Sequence, residues 1–241
     1  MKPIGSYTIW FSQRTGSSLL YKALESTGVA GIPREWLTEQ DPGTFGIQDI
    51  RQIWQNGTTP NGVFGLKFSP FKLDEWFLAF QRELDLAEGL SRPQIWEKAF
   101  PACKHIFMTR RNKVRLAVSW WRAMVTGEWH RVHGTTPHQK EIGDEYSFDA
   151  INHLLMECTL REAAMEAFFA EESIVPMTII YEDFIQNYED TVIKILNFLN
   201  IPTEFVQVAP PFLDQIADDI AESWVQRFRT ERQADWENIA W

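Results

Sequence analysis

Cysteine is nearly absent. The 241-residue chain has two, Cys103 and Cys158, far apart in sequence and both in apolar surroundings. Such a pair makes neither a disulfide framework nor a metal-ligand spacing, and it suits free thiols in a reducing cytosol. No stretch of about 18 consecutive apolar residues occurs, so no membrane-spanning helix is expected. The opening residues MKPIGSYTIWF lack the apolar run of a signal peptide, and the chain reads as soluble and cytoplasmic. Positive charge is also in deficit. A net charge of −10 argues against nucleic acid as the main partner, because phosphate-backbone binding needs a basic face. There is no repeat and no low-complexity linker, and a 44% hydrophobic chain of this length suits one buried core, so a single domain over 1–241 is expected.

Aromatics, by contrast, are plentiful. Eleven Trp and 17 Phe suggest that some line a pocket or interface in addition to the core. Apolar, β-favouring runs occur at Tyr7 to Phe11, Val63 to Phe68, His105 to Met108 and Met177 to Tyr181. Between them, apolar residues at helical spacing predict helices over Ser17 to Gly28, Ile47 to Trp54, Leu73 to Ala87 and Val114 to Val125. Further helices are expected over Phe148 to Phe169, Tyr188 to Leu199 and Ala217 to Arg229. The Gly- and Thr-rich stretch from Thr126 to Ser147 reads as a mobile loop. Strands that are apolar throughout and alternate with helices indicate an α/β fold, a parallel sheet in three layers with helices on both faces. In such sheets ligands bind beyond the carboxyl ends of the strands.

The first strand runs directly into Ser12-Gln13-Arg14-Thr15-Gly16-Ser17-Ser18 and then a helix. Unpaired N–H groups and the dipole at a helix N-terminus favour an anion, and Arg14 adds a forked cationic donor. A cap role for Ser17 and a turn role for Gly16 are the alternatives. The loop lacks the Gly-Lys-Ser/Thr ending of a Walker A sequence, and with it the lysine that a triphosphate site uses.

A second signal lies after the third strand. No Asp or Glu occurs between Glu97 and Glu128, yet Lys98, Lys104, Arg110, Arg111, Lys113, Arg115 and Arg122 do. Arg111 sits at the strand-to-helix junction and Ser119 two turns on, about 12 Å along a helix axis. One phosphate touches both only if the loop folds back over the helix. Two anion sites after two parallel strands fit a nucleoside with a phosphate at each end.

These segments resemble a known family. SYTIWFSQRTGSSLLYKALESTGVAG, NGVFGLKFSP, RRNKVRLAVSWWRAMVTGEWHR and, more weakly, ESWVQRFR are similar in order and spacing to the Stf0 family of sulfotransferases. Members use 3′-phosphoadenosine 5′-phosphosulfate (PAPS), and the known member sulfates trehalose. The resemblance implies a P-loop-NTPase-like sulfotransferase fold, a sugar or glycolipid hydroxyl as acceptor and a homodimer. It implies that Arg14, Thr15, Gly16, Ser17 and Ser18 hold the 5′-phosphosulfate, and Arg111 and Ser119 the 3′-phosphate. IPREW resembles the stretch bearing the family's proposed catalytic base, which falls on Glu35. Lys67 falls where broader sulfotransferases carry a catalytic Lys after the second strand. Those enzymes place a His base two residues further on, where this chain has Ser69. Arg14 and Lys67 would stabilise charge on the leaving oxygen.

Other features have competing readings. A zinc site at His130, His133 and His138 lacks cysteines or a helical i, i+4 pair, and no metal is expected. Trp36, Trp120, Trp121 and Trp129 are candidates for an aromatic wall against a sugar, with at least one of the adjacent Trp120 and Trp121 in the core. Tyr181-Glu182-Asp183-Phe184 reads as an acidic cap for the helix that follows, rather than as a catalytic acidic pair. A nucleotide or sugar kinase and a non-catalytic nucleotide-binding protein are the rival functions.

Overall fold

The computed structural model describes residues 2–136, 145–214, 216 and 218–240. His138 and Ala217, the latter the expected start of the last helix, lie outside these. So does 137–144, the middle of the expected loop.

The strands are β1 (Gly5–Phe11), β2 (Val63–Phe68), β3 (Cys103–Thr109) and β4 (Met177–Ile180). They form one parallel sheet in the order β2-β1-β3-β4. The chain therefore places β2 on one side of β1 and then crosses to β3 on the other, so the strand order reverses at the β1–β3 pair. That reversal opens a crevice at the carboxyl ends of β1 and β3.

Aromatic and β-branched residues make β1 a strand, and burial on both faces makes it the sheet's centre. Period-two alternation sends Trp10 to one face, while Tyr7, Ile9 and Phe11 go to the other. On the Trp10 face lie α2 (Ile47–Gly57), α3 (Leu73–Glu83), α4 (Arg92–Ala99) and the end of α6 (Phe148–Glu171). The other face is covered by α1 (Ser17–Ser26) and α8 (Tyr188–Phe198). A third cluster joins α5 (Lys113–Thr126), the start of α6 and α9 (Asp219–Arg232). The three-layer expectation holds. Among the described residues, no helix is long and apolar enough to cross a membrane.

The sequence reading missed α4 and α7 (Tyr181–Gln186). A reciprocal cap starts α4: Gln94 N donates to Ser91 Oγ at 3.3 Å, and Ser91 N to Gln94 Oε1 at 3.2 Å. That capping box, with Pro93 in the first turn, was legible as Ser-x-x-Gln.

Most of the tryptophan serves the core. Trp10 packs against Phe68, Trp96, Phe168 and Phe169, with centroids 4.5 to 5.7 Å apart. Its indole donates to His105 Nδ1 at 3.0 Å, and Trp96 donates to Thr8 Oγ1 at 3.0 Å, so these polar atoms are buried with partners. Replacing Trp10 by Ala empties this cluster and removes the donor to His105. The expected cost is about 3–5 kcal/mol, read as a lower midpoint of urea unfolding; a change within about 0.5 kcal/mol would show that the cluster is not what holds β1.

Candidate functional site

The loop between β1 and α1 is shaped by two left-handed residues, Arg14 (φ 65°) and Gly16 (φ 84°). Only glycine fits at 16. A Cβ there would lie 2.5 Å from the Tyr181 ring. Thr15 is fully buried and donates to Ser12 O at 2.8 Å, so its hydroxyl braces the loop. Ser17 and Ser18 open the ten-residue α1, which has no side-chain cap and no acidic residue in its first turn. The alternative, Ser17 as a side-chain cap, is thus not seen. The N–H groups of this turn remain available to an anion.

A cavity of about 300 Å³ lies over this turn, with Arg14, Gly16, Ser18, Arg110, Ser119 and Tyr181 among its walls. Its placement follows the crevice between β1 and β3. Arg14 spans it, donating from Nε to Ser119 Oγ at 3.0 Å and from Nη1 to the Trp129 carbonyl. The two predicted anion sites are therefore two walls of one cavity. Burial, then the nearby Arg110 guanidinium, lower the Arg14 pKa to about 10, which leaves it cationic at neutral pH. Further round, Arg115 and Arg122 pair with Glu222 and Asp218 at the start of α9.

Arg110 and Arg111 part company at the end of β3. The Arg110 guanidinium lies 4.8 Å from the Tyr181 ring centroid and faces the cavity; its Nε is buried without a hydrogen bond, 3.7 Å from Glu182 Oε1. Arg111 points out, 55% exposed, with two hydrogen bonds to Asp183 at 2.7 and 2.6 Å. Its backbone N donates to Glu182 Oε2 at 3.0 Å. Of the predicted nucleotide-holding residues, Arg14, Gly16, Ser17, Ser18 and Ser119 line the cavity; Thr15 braces it, and Arg111 is outside it. Glu182 and Asp183 lie in a short helix of their own, α7, and do not cap the helix at Tyr188; they also hold the β3–α5 turn.

Beyond β2 lies a second charged cluster. Arg34 forms a parallel bridge with Leu66, and Lys67 N donates to Arg34 O at 2.9 Å. This sets Glu35 against Lys67, whose Nζ is 2.8 Å from Glu35 Oε1. The approach needs Gly31, where a Cβ would lie 2.6 Å from Gly65 N. The Lys67 side chain is 4% exposed, sits over the Phe11 and Tyr21 rings, and donates to Ser18 Oγ at 3.4 Å. Burial lowers its pKa, against the opposing effect of Glu35. Glu35 Oε2 also accepts from Thr38 at 3.2 Å.

His130 joins this cluster from the far side, with Nε2 3.4 Å from Ser18 Oγ. Gly127 (φ 74°) ends α5 and turns the chain back over the cavity. The sequence reading considered His130 only as a metal ligand. The local clue was a helix stop at Gly127 immediately before Trp129-His130. His133 faces elsewhere, 2.7 Å from Asp214. Ser69 bonds Gln13 at 3.4 Å and Arg161 at 3.0 Å and is not paired with Lys67. The expected aromatic wall does not form: Trp129 lines the cavity, Trp120 is core, and Trp36 is tied to Ile32 O at 2.9 Å.

Comparison with known proteins places this geometry. The profile of the family described as Stf0 sulphotransferase matches residues 6–231. A trehalose 2-sulfotransferase of Mycolicibacterium smegmatis is 30% identical, with 95% of this chain and 96% of that protein covered. A trehalose 2-sulfotransferase of Mycobacterium tuberculosis is 28% identical over the same shares. Among solved structures, a sulfotransferase from Alicyclobacillus acidocaldarius shares the fold, with a TM-score of 0.50 at 16% identity over 95% of this chain and 94% of that one. The chain thus belongs to the Stf0 sulfotransferase family, whose members move sulfonate groups.

Proposed function

We propose that this enzyme transfers a sulfonate from PAPS to a hydroxyl of a carbohydrate or glycolipid acceptor, leaving adenosine 3′,5′-bisphosphate. Trehalose is the first acceptor to test, since both curated relatives are named for it. The observation that carries this reading is the Arg14–Ser119 hydrogen bond of 3.0 Å, which joins the loop after β1 to the helix after β3 across one cavity. One nucleotide would occupy the space between the helix N-terminus on one side and Ser119 on the other. When bound, PAPS supplies a sulfonate already activated by its bond to phosphate.

Gly16, Ser17 and Ser18 would hold the 5′-phosphosulfate through backbone N–H groups and hydroxyls. Ser119 would hold the 3′-phosphate. Arg111 would join it only by leaving Asp183, whereas the adjacent Arg110 already faces the cavity. Arg14 and Lys67 would meet the charge that develops on the leaving oxygen, in a setting where burial strengthens electrostatics. The acceptor hydroxyl must also lose its proton. Two basic groups lie in the cluster around Ser18, Glu35 and His130.

The free Cys103 and Cys158 are consistent with a reducing compartment, so a cytoplasmic location belongs to the same proposal. A homodimer, proposed from family resemblance alone, would elute from size exclusion at twice the 28.1 kDa chain mass.

Incubation with sulfur-labelled PAPS and a panel of disaccharides, glycolipids and small alcohols should yield one sulfate ester per bisphosphate released. Magnesium-dependent ATP turnover with no labelled ester would favour a kinase, and bisphosphate binding with no transfer to any acceptor a non-catalytic binder. A second outcome concerns the lysine. Lys67→Ala should lower kcat by about 10²-fold or more, a larger loss than it causes in bisphosphate affinity, because the charge it meets develops as the bond to sulfur breaks. Unchanged kcat would remove Lys67 from the reaction.

A further inference from the structure

The 24-residue helix α6 packs its first half on α5 and α9 and its last turns on the Trp10 face of the sheet. Between these apolar stretches it carries Arg161 and Glu162, which together reach the ends of three strands. Glu162 Oε1 accepts from Thr109 Oγ1 at the end of β3 at 2.9 Å and from Lys113 Nζ at the start of α5 at 2.6 Å. It also accepts from the fully buried Ser12 after β1 at 3.5 Å. Arg161 serves the other side. Its Nη1 donates to Gln13 Oε1 at 2.6 Å and to Ser69 Oγ at 3.0 Å, and Ser69 Oγ donates to the same Gln13 oxygen at 3.4 Å.

The guanidinium is itself fixed. Its Nε and Nη2 lie 2.8 and 2.7 Å from Glu157 Oε1, one turn back on α6, and its central carbon lies 5.3 Å from the Trp120 ring centroid. Those contacts aim the group and leave the two hydrogens of Nη1 for the loop after β1 and the end of β2. The last residues paired between those strands are Trp10 and Phe68. Past them the two chains are held by side chains, and Arg161 bonds both.

The two partners of Nη1 belong to the two halves of the proposed reacting centre. Gln13 immediately precedes Arg14, whose left-handed backbone shapes the anion loop. Ser69 lies two residues beyond Lys67, which meets Glu35 at 2.8 Å. A direct side-chain contact between the halves, Lys67 Nζ to Ser18 Oγ, is long at 3.4 Å. The shorter contacts of Arg161 therefore set their separation.

We propose that Arg161 is a positioning residue of sulfonate transfer: through Gln13 and Ser69 it fixes the loop that holds the sulfonate against the strand end that carries Lys67 and, across the ion pair, Glu35. This rests on the function proposed above. Arg161 itself touches neither ligand. Attack requires the acceptor oxygen, beside Glu35 and Lys67, to stand within about 3–3.5 Å of the sulfur held by the loop, and about 1 Å of misplacement costs about 10²-fold in rate. The effect falls on kcat, because each half still binds its own ligand.

The test measures kcat, acceptor KM and bisphosphate affinity for Arg161→Met, for the double variant Gln13→Ala/Ser69→Ala and for the triple variant, with each rate divided by the fraction of protein that binds bisphosphate. Arg161→Met should lower kcat by about 10–10²-fold, with acceptor KM and bisphosphate Kd within about threefold of the parent. The double variant should show the same loss without altering α6. In that background, adding Arg161→Met should cost less than about threefold further, since its route to the site is already cut. Arg161→Lys, which keeps the charge but not the fork, should recover part of the rate. The proposal is overturned if Arg161→Met keeps the parental kcat, or if the double variant does, which decides the matter even where Arg161→Met fails to fold. It is also overturned if Arg161→Met costs as much in the double background as in the parent, or if the loss lies in acceptor KM, which would make Arg161 an acceptor contact. A parent that transfers no sulfonate removes the underlying function instead; a parent that transfers it while the variants match its rate removes only the role of Arg161.

Discussion

The hydrogen bond from Arg14 to Ser119 is the constraint on which the site depends. It joins two elements that follow neighbouring strands, and it holds a cation in a cavity where desolvation already disfavours charge. Arg14 is kept there by a left-handed backbone, by Ser119 and by the Trp129 carbonyl. The loop around it is braced by Thr15 from below and pressed against Tyr181 through Gly16. Arg14, a buried cation held by a hydroxyl and a carbonyl, suits a site whose missing charge is brought by a ligand.

The rest of the fold positions this contact. β1 lies at the centre of the sheet because aromatic clusters close over both its faces, and the exchange of strand order beside it leaves room at its carboxyl end. The parallel bridge at Arg34 extends the sheet by one more segment and so carries Glu35 to Lys67. The carboxylates at the rim have a different task. Glu182 and Asp183 anchor the turn after β3, while Asp218 and Glu222 neutralise Arg122 and Arg115.

The sheet, the loop after β1 and most helices were legible from the sequence because each rests on local pattern: apolar strands, a glycine in a strand-to-helix turn, helical periodicity. Lys67 and Glu35, each singled out separately by the resemblance, meet in an ion pair. What sequence could not fix was the direction of adjacent side chains. Arg110 and Arg111 are equal in composition, but strand geometry at the end of β3 sends one to the cavity and the other to Asp183. The tryptophans misled for a related reason: Trp129 lines the cavity, whereas Trp120 packs in the core and Trp36 is tied to Ile32 O. The nearness of His130 to Ser18 went unread because it spans 112 residues and depends on the turn at Gly127.

A crystal structure with adenosine 3′,5′-bisphosphate bound tests the central claim most directly. The 5′-phosphate should lie on the N–H groups of Gly16 to Ser18, and the 3′-phosphate within hydrogen-bond distance of Ser119, with Arg14 between them. A nucleotide bound elsewhere, or one touching only one of the two strand ends, would contradict the account.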